Sequence, residues 1–354
     1  MQQKFIKIFR VLLSPLTFFY AIIIKWRNSL FDHRFFRITK VNAYVISVGN
    51  LTVGGSGKTP AVIFIAKILK SFNKSVGILS RGYSRISRGY LFVSDGRQVK
   101  VTVDESSDEM FFVSTETNYP TAVSERRVEG ARKLIKQSGA KIILLDDAFQ
   151  HRWIHRDFDI VMIEQKFLNK VGSIEQKLLP LGSMREPFES LNRADAVIIN
   201  RKFSDKTEIP EKLAYYFEGK TVFTGFYEST GIFDVKTAHK FSVEEFRGQK
   251  SLVVCGIARP YSFLNVLEKN NIDIKNKMIL PDHKKYSLNE IQTIRKKFYD
   301  SNANSVLTTQ KDAVKLIKFS KDLDDIDIFY LKIELKIDNT DLFEKFLLNK
   351  IKTN

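Results

Sequence analysis

Residues 45–60 read VISVGNLTVGGSGKTP. A β-branched run delivers the chain into a glycine-rich turn, and Gly57-Lys58-Thr59 opens a helical pattern. Strand, turn and helix in that order are what a phosphate-binding loop requires. Thr52, Val53, Gly54, Gly55, Ser56, Gly57, Lys58 and Thr59 form the expected nucleotide-binding segment. Backbone N–H groups of Gly54, Gly55, Ser56 and Gly57 can face an anion, because glycine permits both the tight turn and the close approach of phosphate. Lys58 is expected to reach the β- and γ-phosphates, and the Thr59 hydroxyl to hold Mg2+. Pro60 falls in the first helical turn, where a missing N–H costs little. One departure is Thr52, which stands five residues before Gly57 where the general pattern has glycine.

Further candidates follow other strand ends. The apolar run Lys141–Leu145 ends in Asp146-Asp147. A carboxylate at such an end, downstream of a phosphate loop, holds Mg2+ directly or through water. Gln150 and His151 come next. Asp104, Glu105, Asp108 and Glu109 form an acidic cluster. It is either a favourable charge patch at a helix N-terminus, the reading composition favours, or the source of a base for an attacking hydroxyl. Arg81 and Tyr83 follow a strand end and are expected to border the ligand cleft. Arg185, in the turn LPLGSMREP, is either a phosphate clamp or a solvated loop charge. His283, after the strand expected at Asp273–Leu280, is either an incidental loop histidine or one that faces a cleft between domains.

The elements that must position these groups read as α/β. Strands are expected at 43–48, 76–79, 141–145, 159–163 and 196–199, with helices at 59–70 and 125–137. Tyr90–Val93 and Gln98–Val103 flank the turn signal Asp95-Gly96 and read as a hairpin. Strands alternating with helices imply a mainly parallel sheet covered on both faces, with ligands at the strands' carboxyl ends. Thr221–Tyr227 and Gly231–Val235 read as short extended linkers, and a second alternating set follows from Ser251. The expected division is a membrane-anchoring helix at 1–40, a phosphate-loop core at 41–228 and a smaller α/β domain at 229–354.

Composition narrows the classes. With 57 Lys+Arg against 40 Asp+Glu, the net charge of +17 attracts polyanions. The lysines are spread along the chain, and no basic block interleaved with aromatics marks a nucleic-acid surface. One cysteine, Cys255, excludes an internal disulfide and sits in an apolar run as a structural thiol. Residues 1–40 are basic and enclose VLLSPLTFFYAIII between Arg10 and Lys25. That run is shorter than the ~20 residues of a spanning helix. A basic aromatic helix lying in the membrane interface fits it better than a buried first helix or a true span.

GNLTVGGSGKTP, SRGY at Ser80–Tyr83, LLDDAFQH at Leu144–His151, LGSMREP at Leu181–Pro187, PDH at Pro281–His283 and TTQKDAVKL at Thr308–Leu316 together resemble the tetraacyldisaccharide 4′-kinase, or lipid A 4′-kinase, family. The motifs run in family order, and threonine at position 52 is that family's own pattern. The resemblance implies that ATP donates its γ-phosphoryl to the 4′-hydroxyl of an acylated glucosamine disaccharide 1-phosphate. The place implied is the cytoplasmic face of the bacterial inner membrane, with no nucleic acid and no obligate protein partner. It implies Asp108 as catalytic base partnered by His283, with Lys58 acting on the phosphates. Asp146 and Asp147 would organise Mg2+, and Glu109, Arg81, Tyr83, Gln150, Arg185 and Glu186 would line the site. Departures are Ser107 and Met110 for glycine and proline, Lys284 for a second histidine, and DDAFQH for DDGLQH. The alternative is a membrane-associated phosphate-loop ATPase or GTPase switch that phosphorylates no acceptor.

Overall fold

The computed structural model describes residues 14–282 and 284–352. Its strands are β1 (Tyr44–Asn50), β2 (Val76–Ser80), β3 (Leu91–Asp95), β4 (Pro120–Val123), β5 (Ile142–Asp146), β6 (Phe158–Glu164), β7 (Ala196–Asn200), β8 (Thr221–Asp234), β9 (Lys240–Phe241), β10 (Ser251–Cys255), β11 (Asn276–Ile279), β12 (Ser305–Thr309) and β13 (Ile328–Ile337). They form one continuous sheet ordered β11-β10-β12-β13-β8-β7-β6-β1-β5-β2-β4-β3, with β9 beside β8.

The first half is parallel from β7 to β4, with β3 antiparallel at the edge. β1 lies between β5 and β6, where both faces are covered, so it is buried from Val45 to Asn50 and mostly apolar, with Ser47 and Asn50 the polar exceptions. Its register pairs Val48 with Asp146, which sets the phosphate loop beside the acidic end of β5. Ala61, Val62, Ile65 and Leu69 of the Lys58–Ser71 helix are buried with Ile46, Val48 and Leu144. The expected helix at 125–137 spans Arg127–Ser138 and ends at Gly139 in the left-handed region.

The segment read as two linkers is one strand. β8 pairs parallel with β7 over Thr221–Gly225, then antiparallel with β13 over Gly225–Asp234. Gly225, Ser229-Thr230 and Gly231 interrupt its apolar pattern, which explains the misreading. The second arm of the expected hairpin is not a strand either. Only a single bridge, Ser94 with Val99, returns, and the chain then enters the Val103–Ser106 helix.

Strands β10, β11, β12 and β13 are parallel to each other but antiparallel to the first half. In a flat sheet their carboxyl ends would face the opposite edge. The long β8–β13 ribbon, with its register shift at Lys332/Ile333, lets the sheet curl so that both sets of carboxyl ends meet at one cavity. Helices 288–300 and 260–269 cover opposite faces of this second half through Ile291 and Ile294, and Phe263 and Leu267. Cys255 is buried there, and burial, with Asp312 nearby, pushes its thiol up to about 12, so it is inert. The C-terminal Thr340–Lys352 helix returns to the first core through Phe343 and Leu347.

The Ser14–Asp32 helix turns an apolar stripe outward. Phe18, Phe19, Ile22, Ile23 and Trp26 are exposed, Trp26 by 67%, and Phe35 beyond the helix by 78%. Its inner face carries Tyr20, Ile24, Arg27 and the fully buried Phe31, which meets Trp153 edge-on. Among the described residues no helix is long and apolar enough to cross a membrane.

Candidate active site

A cavity of about 1490 Å³ opens between the two halves. The whole 52–59 segment lines it, with Arg81, Tyr83, Glu109, Asp147, Gln150 and Arg185 from the first half and Arg259, Asp282 and Lys311 from the second. The loop is held from both sides. Asn50 Nδ2 donates to Ser56 Oγ (2.8 Å), and Asn200 Nδ2 donates to Ser56 O (3.3 Å). Val53 N–H donates to Ser183 O (2.8 Å), and Thr52 bridges Met184, so the Leu179–Pro187 turn braces the loop. Gly57 adopts φ 95°, and a Cβ there would run into the side chains of Asn200 and Tyr227. Gly54, at φ 101°, faces open space and is required for its conformation alone. One expectation changes: Ser56 N–H donates to Gly54 O (3.0 Å) and Ser56 is buried, so that donor is spent within the loop.

At the end of β5 the two acids differ. Asp147 adopts φ 49°, a left-handed turn that aspartate tolerates better than most residues. Its carboxylate lies 3.7 Å from Lys58 Nζ, and both guanidinium nitrogens of Arg185 reach it, at 2.7 and 3.2 Å. Burial favours its neutral form, but Lys58 and Arg185 outweigh that and hold its pKa low. Asp146 is buried beneath, reached by Ser80 Oγ at 3.4 Å. Burial first, then Glu109 and Asp147, push its pKa up. Asp146 Oδ1 has no hydrogen-bond partner among the described residues.

Asp108 begins the Asp108–Thr117 helix and is buried, while Glu109 faces the cavity. Both are met by lysines of the Gln310–Leu316 helix in the second half. Lys311 Nζ is 3.3 Å from Glu109 and 3.8 Å from Asp108, and Lys315 Nζ is 3.3 Å from Asp108. His283 lies outside the described residues.

Glu186 does not line the cavity. It is fully buried behind it, bonded to Arg193 and 3.6 Å from Arg27. Arg27 also donates to Gln150 O, and Gln150 Nε2 donates to Asn50 O (2.8 Å). Tyr20 Oη donates to Arg185 O (2.9 Å). The inner face of the N-terminal helix thus grips the residues that shape the phosphate loop. Arg81 and Tyr83 stand exposed at the rim.

Several contributors escaped the reading of the sequence. Arg127, buried at the start of its helix, bonds Ser124 O (2.8 Å), and burial lowers its pKa to about 10 against the pull of Asp146 and Asp147. It follows β4, a strand whose four residues were too few to notice. His151, which the sequence had already placed beside the acid pair, also lines the cavity and is held near pKa 4 by burial and by Arg127, Arg156, Arg27 and Arg81. Lys311 and Lys315 sit one turn apart after β12, and that strand-end position was the available signal.

A glycine-rich loop leaving a central parallel strand, a lysine at its helix start and an acid pair at the neighbouring strand end define a phosphate-loop phosphotransferase. Comparison with known proteins agrees. The model of the tetraacyldisaccharide-1-P 4′-kinase family matches residues 9–352. Tetraacyldisaccharide 4′-kinase of Aquifex aeolicus is 32% identical over 336 residues, covering 95% of this chain and 97% of the relative. The same-named protein of Halothermothrix orenii is 34% identical over 353 residues, covering 94% and 91%. A crystal structure of LpxK from Aquifex aeolicus in complex with ATP superposes with a TM-score of 0.80 at 32% identity, covering 97% of this chain and 99% of that one. The chain belongs to the tetraacyldisaccharide-1-P 4′-kinase family, and it is a kinase.

Proposed function

We propose that this kinase transfers the γ-phosphoryl of ATP to the 4′-hydroxyl of an acylated glucosamine disaccharide 1-phosphate in lipid A synthesis. The observation that carries the reading is one cavity lined by Lys58, Asp147, Arg185 and Glu109, with Asp108 buried beside Glu109 at the start of the same helix and Lys311 facing them from the second half. The family match and the ATP complex of a similar protein support ATP as donor. The hydroxyl oxygen attacks the γ-phosphorus, an O–P bond forms as the bond to the β-phosphate's bridging oxygen breaks, and ADP leaves. Asp108, aided by His283, takes the hydroxyl proton. Lys58 and the loop's N–H groups neutralise charge on the transferring group. Arg185 holds Asp147 in place.

The residues present fit Mg2+. Asp146 is buried, short of a partner at Oδ1 and raised in pKa, so a cation would relieve it. No trio of His, Cys, Asp or Glu among the described residues suffices alone, and Mg2+ normally combines one or two carboxylates with substrate phosphates. Thr59, Asp146 and Asp147 would hold it, and it would supply charge neutralisation at the β- and γ-phosphates.

The substrate's acyl chains stay in a bilayer, and the outward apolar stripe of the Ser14–Asp32 helix, flanked by Lys25, Arg34 and Arg37, suits an anionic membrane surface. We place the enzyme on the cytoplasmic face of the inner membrane, working without nucleic acid or an obligate protein partner. Incubation with labelled ATP and the acylated disaccharide 1-phosphate should put the label on the 4′ position. ATP hydrolysis with no phosphorylated lipid would instead support a nucleotide switch. Replacing Phe18, Ile22 and Trp26 together by serine should release the protein from anionic vesicles, and unchanged vesicle binding would remove the anchor.

A further inference from the structure

We infer that Lys315 is a positioning residue for Asp108, supplied by the opposite half of the molecule. The inference rests on the reading of Asp108 as the base. The Gln310–Leu316 helix leaves the carboxyl end of β12, and Thr309 caps it by accepting Asp312 N–H (3.1 Å). Asp312 is fully buried and accepts Gly256 N–H (2.8 Å) and the Thr309 hydroxyl (2.8 Å). One turn on, Lys315 Nζ stands 3.3 Å from Asp312 Oδ1 and 3.3 Å from Asp108 Oδ2, and it donates to Lys284 O (3.4 Å). A lysine this deeply buried is uncommon unless paired.

Its place differs from that of Lys311. Lys311 lines the cavity and spreads its charge over Glu109, Asp108 and Asp282. Lys315 is buried, lies outside the cavity lining, and reaches the reaction only through Asp108. Asp108 Oδ1 accepts Glu109 N–H (3.1 Å), which ties one oxygen to the start of its own helix. Lys315 fixes the other oxygen from across the seam, and Asp312 fixes Lys315. The direction of the carboxylate therefore depends on both halves being engaged.

The test is a double-mutant cycle on the full chain, with ATP and the acylated disaccharide 1-phosphate as substrates. Lys315→Met should lower kcat roughly 10–100-fold, the scale of a misaligned reacting group, while KM for ATP stays within about twofold because the phosphate loop is untouched. Lys315→Arg should recover part of the loss by keeping the charge. In an Asp108→Asn background, Lys315→Met should cost less than about twofold more, since residues acting as one unit are not additive. Equal losses in both backgrounds, or a near-normal kcat in Lys315→Met, would overturn the positioning role. Near-normal turnover in Asp108→Asn itself would overturn the base, a separate failure. If Lys315→Met does not fold, Asp312→Asn carries the same cycle, because it removes the charge that orients Lys315.

Discussion

On the wall that carries the phosphate loop, Val62, Ile65 and Leu69 are buried against Ile46, Val48 and Leu144. Across the seam to the second half, many of the contacts are lysine–carboxylate pairs. Lys318 meets Asp104 at 2.6 Å, Lys332 meets Glu116 at 2.8 Å, Lys67 meets Glu334 at 2.6 Å, and Lys311 and Lys315 meet Glu109 and Asp108. Apolar contact is not subject to Debye screening and opens only with the core. The partly exposed ion pairs are screened and individually worth about 0–1 kcal/mol, unlike the buried Lys315–Asp108 pair. The phosphate-loop helix and the Asp108–Thr117 helix, through Met110 and Val113, thus share one apolar core, while the second half meets that helix through lysines. A kinase must admit its substrates and then exclude water, and contacts of this kind can open and close without unfolding the core.

Four substitutions probe the contrast. Asp108→Ala should cut kcat roughly 10²–10⁴-fold, as loss of a general base does, with little change in nucleotide affinity. A loss confined to ATP binding would move Asp108 out of the chemistry. In thermal or urea unfolding, Ile65→Ala should cost about 2–5 kcal/mol, while Lys332→Met should cost under about 1 kcal/mol. Comparable costs would erase the difference between the walls. Ser107 adopts φ 86°, ψ 150°, a region nearly restricted to glycine, although its hydroxyl accepts Met110 N–H. Ser107→Gly should therefore stabilise by about 1–2 kcal/mol, strain relief exceeding the few tenths lost with the cap. A destabilised variant would mean that the cap dominates.

The smallest effect is a pH dependence. Burial holds His151 near pKa 4, below the usual 6.5. As pH falls through 6.5 the unfolded chain takes the proton first, so stability is full above 6.5 and declines toward pH 4. His151→Gln should flatten that stretch of the stability–pH curve by about 1 kcal/mol, a figure reduced for the residue's partial exposure. Parallel curves for the two proteins would rule the contribution out.

Much of the first wall was legible in the sequence because its signals are local. The strands at 43–48, 76–79, 141–145, 159–163 and 196–199 lie within two residues of their expected ends, GGSGKT starts a few residues past β1, and Asp146-Asp147 straddles the end of β5. The seam was not legible. Lys315 is one of many lysines, and its partner lies some two hundred positions earlier, so nothing local distinguishes it. Glu186 beside Arg185 looked like a second cleft residue, yet two arginines from separate elements turn it inward. β8 was hidden because its two pairings run in different directions and its polar middle breaks the alternation.

The Leu179–Pro187 turn is sandwiched. One side pairs with Leu51, Thr52 and Val53; the other receives Thr17 and Tyr20 from the N-terminal helix. Whatever medium surrounds that helix, be it detergent, lipid or water, acts within three contacts on the ammonium group at Lys58. If that helix docks on a membrane as proposed, preparations that differ only in their amphiphile are expected to differ in turnover.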